Sequence, residues 1–333
     1  MNALVYLLMP FWLLACATPR VQVTSDTTQV PMLTPVDAIM ADGYRLPISI
    51  WQPAGEPQAI VLGLHGFNDY RLAFAAPAEY LAVNGIMTYA YDQRGFGETE
   101  QRGIWPGADV LQQDADTVVQ LLCERYPGIP LYLLGESMGG AVAMDLIRDM
   151  DTSCLNGIIL AAPAVWGWQT MPVLQRSALW LAAHTAPGQV LTGDGLEITP
   201  SDNMEMLRAL GQDPLVIKAT RIDAMFGLTN LMESALLSSR QLTLPALILY
   251  GENDDIIPPN SVCEMMKGLL EPQAARWRMV LYPDGYHMLT RDLQAAVVLQ
   301  DMLSWILDPA ASLPSDLEVG TGTPRLRAMC EAT

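Results

Sequence analysis

Apolar residues along this chain gather in short runs that alternate with longer segments of helical periodicity. The runs include Ala59–Leu64, Ile86–Tyr91 and Trp277–Tyr282, and each has the length of one buried strand. Segments such as Asp109–Tyr126 lie between them, with apolar residues at helical spacing. Strands that alternate with helices predict a mostly parallel sheet with helices on both faces.

The other predicted elements follow the same alternation. A hairpin comes first, in which the turn Asp42-Gly43 joins Val36–Met40 to Leu46–Trp51. The further predicted elements are a helix at Ala73–Asn84, a strand at Ile129–Leu134, a helix at Gly140–Arg148, strands at Gly157–Ala162 and Ala246–Tyr250, and helices at Asn260–Leu270 and Leu293–Leu307.

The interval between Pro163 and Pro245 interrupts this alternation. It shows no strand-like run, only helical segments rich in Trp and Met. It follows the sixth predicted core strand, at the carboxyl ends of the strands, where ligands bind in such sheets. We interpret residues 164–244 as a helical cap. Packing within the cap accounts for much of its apolar content, but a lid over an apolar pocket also needs some of these side chains to face the cleft.

Length and charge narrow the function classes. The 333 residues are enough for one elaborated domain, or for a core with an insertion. The formal net charge is −18 at pH 7. Binding to a nucleic-acid backbone needs a basic face, so we expect no nucleic-acid partner.

The N-terminus has the features of an export signal. The apolar run Leu4–Leu14 is too short to span a bilayer, which needs roughly 20 residues, and it is typical of a signal-peptide core. The run ends in Leu13–Cys16, which resembles the bacterial lipobox, in which the cysteine is lipidated. Ala17 in place of Asp then implies an outer-membrane anchor facing the periplasm. An ordinary signal peptide or an uncleaved anchor stays open, because no Lys or Arg precedes the run and Leu14 is bulkier than usual.

These features divide the chain into six parts. They are a signal peptide at 1–15, a flexible tether rich in Thr, Ser, Gln and Pro at 16–35, the core at 36–163 and 245–308, the cap at 164–244, and a tail at 309–333. Export would permit disulfides, and Cys123 with Cys154 is the pair to test, because both lie on the same face of the predicted sheet. We nevertheless expect the four remaining cysteines to be free buried thiols.

The pentapeptide Gly135-Glu136-Ser137-Met138-Gly139 carries the clearest chemical signal. It follows a predicted strand and opens into a predicted helix, which is the setting of a nucleophile elbow. The sharp turn holds the serine in a strained conformation with its hydroxyl exposed. Ser137 is therefore the candidate nucleophile.

A serine nucleophile needs a base, and the base needs an orienting acid. His287 lies between the last strand and the last helix, where the order Ser…Asp…His places the base. We expect His65 to orient the loop after its strand, and His184 to have a structural or pocket-lining role in the cap. Asp254 follows the strand at 244–250 and is the candidate acid, whereas the alternative, Asp255, is expected to be solvated.

The oxyanion of an acyl-transfer reaction needs two backbone N–H donors, one after the nucleophile and one from the loop after an early strand. Met138 and Phe67 are the candidates. This chemistry requires no cofactor and no metal.

Several motifs in order resemble one known family. They are His65-Gly66-Phe67, Asp92–Gly97, Gly135–Gly140, the Asp254 turn and His287. Together they resemble the monoacylglycerol lipase and lysophospholipase branch (serine aminopeptidase S33-type) of the α/β-hydrolases, from about Val36 to Leu307. The resemblance implies an α/β-hydrolase fold: a mostly parallel central sheet with helices on both faces and a cap inserted after the sixth core strand.

The same resemblance implies a serine hydrolase that cleaves carboxylic esters of lipids through an acyl-enzyme intermediate. Monoacylglycerol or lysophospholipid is the expected substrate, and the membrane is the expected partner. Asp92 and Arg94 are expected to pair near the top of the sheet. Met288 stands where many relatives carry an acidic residue.

Four other functions stay open. A general carboxylesterase, an aminopeptidase or an acyltransferase would use the same triad, and a non-catalytic envelope lipoprotein would use the fold as a binding scaffold. An aminopeptidase would also need an acidic anchor for the substrate amine. The sequence does not place the candidates Glu136, Glu205 and Glu233.

Overall fold

The computed structural model describes residues 17–149, 151–193, 195, 197–269, 277–320 and 322–331. The predicted signal peptide and Cys16 lie outside this part of the chain. None of the helices within these ranges combines the length and the apolar character that crossing a membrane requires.

Twelve strands are formed by the described residues. They are β1 (Met32–Leu33), β2 (Asp37–Ile39), β3 (Arg45–Trp51), β4 (Ala59–Leu64), β5 (Ile86–Tyr91), β6 (Leu131–Glu136), β7 (Leu155–Ala161), β8 (Val190–Thr192), β9 (Ala219–Arg221), β10 (Ala246–Gly251), β11 (Trp277–Tyr282) and β12 (Glu318–Val319). The α-helices are α1 (Ala75–Val83), α2 (Ala108–Arg125), α3 (Met138–Asp149), α4 (Val173–Thr185), α5 (Met204–Gln212), α6 (Ile222–Ser238), α7 (Pro259–Leu269), α8 (Ala295–Leu307) and α9 (Pro324–Glu331).

Ten of these strands form one sheet in the order β1-β2-β3-β5-β4-β6-β7-β10-β11-β12. The pairs from β5 to β11 are parallel, and the outer strands at both edges pair antiparallel. The predicted fold class is confirmed: this is an α/β fold with a mostly parallel central sheet. The cap follows β7, which is the sixth strand counted from the hairpin.

The central strands are apolar runs because both of their faces are covered. Every residue of β4, β5, β6 and β10 is buried. Along β4, Val61 packs into the cluster that contains α1 and α8, whereas Leu62 packs into the cluster that contains α2, α3 and α7. The helices therefore form two layers with the sheet between them.

The predicted core elements are present, with ends that move by one to a few residues. β11 has the predicted bounds, and the hairpin of β2 and β3 is antiparallel as expected. The expectation that the cap interval contains no strand is wrong. β8 and β9 form an antiparallel pair that joins Val190 to Arg221 and Thr192 to Ala219. Each strand has three residues that lack buried side chains, so no apolar run marks them in the sequence.

The segment predicted to be a flexible tether contacts the domain through Ala17 and Gln22, whereas residues 23–30 are exposed, and its flexibility stays a prediction. The Ala17 N–H donates to the His184 carbonyl at 2.9 Å, and the Gln22 N–H donates to the Trp105 carbonyl at 2.9 Å. The Gln22 side chain is buried and donates to the Ile104 carbonyl at 2.8 Å. The N–H groups of Gln22 therefore bind loop carbonyls. A polar composition alone does not tell a segment bound in this way from one that is free in solvent.

The tail extends the core, and the cysteines differ from the expectation. β12 adds an antiparallel edge strand to β11, and α9 packs against α7. Disulfides join Cys123 to Cys154 and Cys263 to Cys330, so the prediction of free thiols is wrong, while the singled-out pair is formed. The second disulfide fastens the tail to the core.

Candidate active site

The candidate residues meet at one edge of the sheet. Phe67, Ser137, Asp254 and His287 follow β4, β6, β10 and β11, whose carboxyl ends lie side by side because these strands are parallel. Only β7 lies between the strand of the serine and the strand of the aspartate. This is the edge at which open α/β sheets bind ligands.

Ser137 occupies a strained turn between β6 and α3. Its φ of 52° lies in the left-handed region, which is unfavourable for a residue with a Cβ atom. Its N–H donates to the Ala161 carbonyl at 3.0 Å, and its carbonyl accepts from the Ala164 N–H at 2.9 Å. The neighbouring loop after β7 therefore holds the strained backbone in place.

The glycines of the elbow are needed for space. A Cβ atom at Gly135 would lie 2.5 Å from the Gly139 carbonyl oxygen, and one at Gly139 would overlap the Leu64 carbonyl. Neither glycine has a positive φ. The serine takes the strained conformation, and the glycines allow β4, β6 and α3 to approach one another closely.

His287 and Asp254 form a buried pair. His287 Nδ1 lies 2.8 Å from Asp254 Oδ2, and Asp254 Oδ1 accepts from the N–H groups of Ile256 and Ile257 at 2.8 and 2.9 Å. Burial of His287 favours the neutral ring, but the charge and hydrogen bond of the Asp254 carboxylate, together with the charge of Glu136, raise the imidazole pKa above its ordinary value. The bond at Nδ1 leaves Nε2 as the nitrogen that can accept a proton.

The alternative acid, Asp255, does not join this pair. Its side chain is exposed and accepts from the Thr199 N–H at 3.3 Å.

The two candidate oxyanion donors lie beside the elbow. Met138 is the first residue of α3, and Phe67 is in the loop after β4. Within the described residues neither backbone N–H donates to a protein acceptor. A Cβ atom at Gly66 would lie 3.4 Å from the Ser137 Cβ, so the loop of Phe67 packs against the nucleophile turn.

His65 holds the same loop, as expected for a structural histidine. Its Nε2 accepts from the Gln93 N–H at 2.9 Å, and its Nδ1 lies 2.8 Å from the Gly66 carbonyl oxygen. The ring is fully buried, and this burial lowers its pKa, which keeps the imidazole neutral. The neutral form fits one donor and one acceptor nitrogen.

A buried ionic network behind the elbow was missed by the sequence reasoning. Glu136 lies directly before Ser137 and accepts from Arg291 Nη2 at 2.5 Å and from the Thr290 hydroxyl at 3.1 Å. Arg291 Nη1 also donates to Asp69 Oδ2 at 2.8 Å. A glutamate inside a buried strand requires a cationic partner. The position of Glu136 in a predicted buried strand could therefore have predicted an ion pair here. Of the three candidate amine anchors, Glu136 is therefore already paired.

The other two candidate anchors lie in the cap. Glu205 is exposed on α5, and Glu233 accepts from the Gln169 side chain at 2.6 Å. No group of three or more His, Cys, Asp or Glu side chains in the described ranges is arranged to hold a metal ion.

Comparison with known proteins agrees with this geometry. The family model described as "Serine aminopeptidase, S33" matches residues 55–294, which is more than half of the chain. The chain belongs to this family. Its fold is therefore the α/β-hydrolase fold.

Individual relatives cover most of the chain. A mouse monoglyceride lipase is 27% identical over 277 residues, covering 80% of this chain and 88% of its own. A monoacylglycerol lipase of Mycolicibacterium smegmatis is 23% identical and covers 80% of this chain and 94% of its own. The structure of a Saccharomyces cerevisiae monoglyceride lipase with a substrate analog superimposes with a TM-score of 0.68 at 21% identity, covering 86% of this chain and 99% of its own.

The expected pairing of Asp92 with Arg94 in this α/β-hydrolase is wrong. Asp92 accepts from Arg71, whereas Arg94 donates to Asp42 and Asp114. The two side chains lie two positions apart, and each finds a separate partner on a different element. Both remain structural.

The cap of the α/β-hydrolase closes over the candidate site. The Ile217 N–H donates to the Asn68 carbonyl at 2.9 Å, beside Phe67, and the Met288 N–H donates to the Pro200 carbonyl at 3.0 Å, beside His287. His287 is only 5% exposed as a result.

Apolar surface concentrates on the cap around α4. A groove of about 500 Å³ lies between α4 and α6 and is lined by aromatic side chains that include Trp168, Trp180 and Phe226. His184 stacks on Trp180 with ring centroids 4.3 Å apart and packs edge to face with Phe226 at 5.3 Å, so it supports two of the lining side chains. Within α4, only Ala183 is buried.

Proposed function

We propose that this protein is a serine hydrolase that cleaves carboxylic esters of lipids, with monoacylglycerol or lysophospholipid as substrate. One observation carries the proposal. The buried His287–Asp254 pair lies at the same edge of the sheet as the strained Ser137 turn. The monoglyceride and monoacylglycerol lipases among the relatives support the lipid class of substrate.

In the proposed reaction, Ser137 Oγ attacks the ester carbonyl carbon while His287 Nε2 takes its proton. The N–H groups of Phe67 and Met138 stabilise the oxyanion. The intermediate collapses, the bond from the carbonyl carbon to the alkoxy oxygen breaks, and His287 gives its proton to the leaving alcohol. Water then attacks the acyl carbon with His287 as base, the bond from the acyl carbon to Ser137 Oγ breaks, His287 returns the proton to Ser137 Oγ, and the fatty acid leaves. Asp254 fixes the imidazole tautomer and stabilises the imidazolium.

One candidate anchor for the amine of a peptide substrate is already occupied. Glu136 is the acidic side chain nearest to Ser137 in sequence, and its carboxylate already binds Arg291 and Thr290. It is therefore not available to hold a substrate ammonium group. General esterases and acyltransferases share the triad, and the substrate series below separates them.

We also propose that Cys16 carries a lipid anchor that holds the enzyme at the outer membrane, facing the periplasm. The Ala17 N–H donates to the His184 carbonyl, so the residue next to Cys16 lies at the end of α4. Leu174 and Leu181 on this helix are 82% and 57% exposed. An anchor at this position would bring that apolar surface to the bilayer. Mass spectrometry of the N-terminal peptide tests the anchor, and an unmodified Cys16 in the mature protein contradicts it.

The test of the function is a substrate series on the full-length protein purified in detergent. Monoacylglycerols and lysophospholipids of graded chain length are compared with short p-nitrophenyl esters, and acyl transfer to added alcohols is measured in parallel. We expect the highest kcat/KM for long-chain lipids. Activity confined to the short esters would reduce the function to a general esterase.

Ser137→Ala is the matched control in this series. Loss of the nucleophile typically lowers kcat by roughly 10⁶-fold, and it should also abolish labelling by a fluorophosphonate probe. Labelling that persists in Ser137→Ala would place the nucleophile elsewhere, and a wild-type protein that neither labels nor hydrolyses would support the binding-scaffold alternative.

A further inference from the structure

Arg291 connects three loops of the candidate site. It lies four residues after His287, and its side chain is only 8% exposed. One guanidinium nitrogen binds Asp69, two residues after Phe67, and another binds Glu136, directly before Ser137. These partners are 222 and 155 positions away along the chain. A single side chain therefore contacts the oxyanion loop and the serine turn from the loop of the base.

We infer that Arg291 is a positioning residue, which fixes the spacing of the serine turn, the oxyanion loop and the His287 loop through its two carboxylate partners. The inference rests on the proposed function. The three loops are irregular, so tertiary side-chain contacts determine how far apart they lie. A planar guanidinium can hold two carboxylates in fixed directions, whereas a lysine ammonium is a point charge on a flexible stem.

The loop of the base is also held from its other side. The Arg291 carbonyl accepts from the Asn203 side chain at 3.0 Å, and the Ser201 hydroxyl donates to Asp292 at 2.6 Å. Asn203 and Ser201 belong to the cap. The Arg291 segment is thus clamped between the cap and the core, so a change at its side chain moves the position of His287 and not only a surface loop.

The charges of this network oppose each other at the imidazole. The charged groups that face His287 are Asp254 from the loop after β10, Glu136 from β6 and Arg291 from its own loop. Glu136 raises the pKa of His287, and Arg291 lowers it. The pair can hold the loops together while its two members act on the His287 pKa in opposite directions. Removing the charge of Glu136 should lower the pKa of His287, and removing the charge of Arg291 should raise it.

Arg94 supplies a matched control in the same molecule. It is also a buried arginine between two carboxylates, with Asp114 at 2.9 Å and Asp42 at 2.6 Å. It contacts neither the serine turn nor the His287 loop. Replacing either arginine by lysine removes guanidinium hydrogen bonds to two carboxylates, four from Arg94 and two from Arg291, but only Arg291 connects the site.

The first experiment compares Arg291→Lys with Arg94→Lys on a short soluble ester. We expect kcat of Arg291→Lys to fall by roughly 10²-fold with KM nearly unchanged, because a displacement of about 1 Å at the reacting groups has that effect. Both variants should lose similar Tm, and Arg94→Lys should keep its kcat. An Arg291→Lys kcat within about twofold of the wild type, or an equal loss in Arg94→Lys, overturns the inference.

The second experiment measures the pKa of His287 and does not depend on enzyme activity. The chain has 3 histidines, so the His287 ring can be followed by NMR and assigned with His287→Gln. We expect Glu136→Gln to lower the pKa of His287, Arg291→Met to raise it, and Arg291→Lys to leave it close to the wild type. A pKa that none of these variants moves overturns the inference.

The two experiments separate the possible failures. A wild-type protein without hydrolase activity, but with the expected shifts of the His287 pKa, would refute the proposed function and leave the network in place. If Arg291→Lys does not fold, Asp69→Asn and Glu136→Gln decide, because both keep an acceptor oxygen and lose the charge. Unchanged kcat in both of these variants contradicts the positioning role.

Discussion

The candidate site and helix α4 of the cap differ in how they are packed. At the edge of the sheet, Asp254 and His287 are buried, and both oxygens of Asp254 are occupied by hydrogen bonds. In the cap, α4 has a single buried residue, and its exposed side chains include Leu174 and Trp180. The candidate catalytic residues are thus held by a dense set of contacts, whereas α4 is held by few.

This difference assigns separate tasks to the two regions. Buried and fully bonded groups can keep a reactive geometry without rearrangement during the reaction. A lightly packed helix opens at low cost, because few buried contacts have to break. Changes at the sheet edge should therefore affect kcat for every ester, and changes on the exposed face of α4 should affect only substrates presented by a lipid surface.

The largest effect in this comparison is expected for Asp254→Asn. The wrong tautomer of His287 and the loss of the carboxylate should lower kcat by roughly 10⁴-fold on soluble and lipid esters alike. The neutral ring is the base, so wild-type activity should fall as the pH drops through the raised pKa of His287. Without the Asp254 charge that pKa is lower, and the residual activity should persist to lower pH.

The pH profile of kcat/KM checks this prediction, with Asp255→Asn as the control. Asp255 is exposed and does not contact His287, so its variant should keep the wild-type profile. An Asp254→Asn enzyme with the wild-type profile would show that another group orients the base.

A smaller and more selective effect is expected for the cap variant Leu174→Asp/Leu181→Asp. Partial burial of two leucines in a lipid surface is worth about 1–2 kcal/mol, so activity on emulsified long-chain esters should fall roughly tenfold. Activity on short soluble esters should not change. The control is Val83→Asp, which replaces an 89% exposed valine on α1, outside the cap. Equal losses on both types of substrate would contradict the division between cap and core.

The smallest effect on catalysis is expected for Cys263→Ser/Cys330→Ser. This disulfide closes a loop of 67 residues, and its loss should lower the free energy of unfolding by about 4 kcal/mol. It joins α7 to α9, away from the serine turn, so kcat at temperatures below unfolding should not change. Denaturant unfolding and steady-state kinetics on the same sample measure both quantities. A fall in kcat without unfolding would mean that the tail acts on the site.

The core was predictable because burial imposes apolar runs on the strands. β11 was predicted with its observed bounds. The nucleophile elbow was placed correctly between β6 and α3, because the apolar run of β6 shows where that strand ends. Residues without buried side chains leave no such pattern. The short strands β8 and β9 were therefore missed. In the edge strand β12 only Val319 is buried, and in the segment at 17–35 only Gln22 is buried, so neither of them forms an apolar run.

The site was predictable in its motifs but not in its supports. Ser137, Asp254 and His287 follow the strand ends that the alternation predicts. The partners of Glu136 are 154 and 155 residues away, and nothing in the local sequence relates Arg291 to Asp69 rather than to another acid. Asp92 and Arg94 illustrate the same difficulty, because adjacency along the chain suggested a pair that the fold does not form.

The hydrogen bond from Ala17 to His184 has a consequence for how the enzyme would search for its substrate. Adjacent Cα atoms are about 3.8 Å apart, so an acyl chain on Cys16 would begin within one residue of the cap. Almost no linker would then separate the anchor from the folded domain. A protein fixed so closely cannot swing out to sample the surrounding solution. Its encounters with substrate would become lateral diffusion in two dimensions, and each fatty acid would return to the leaflet from which the ester came.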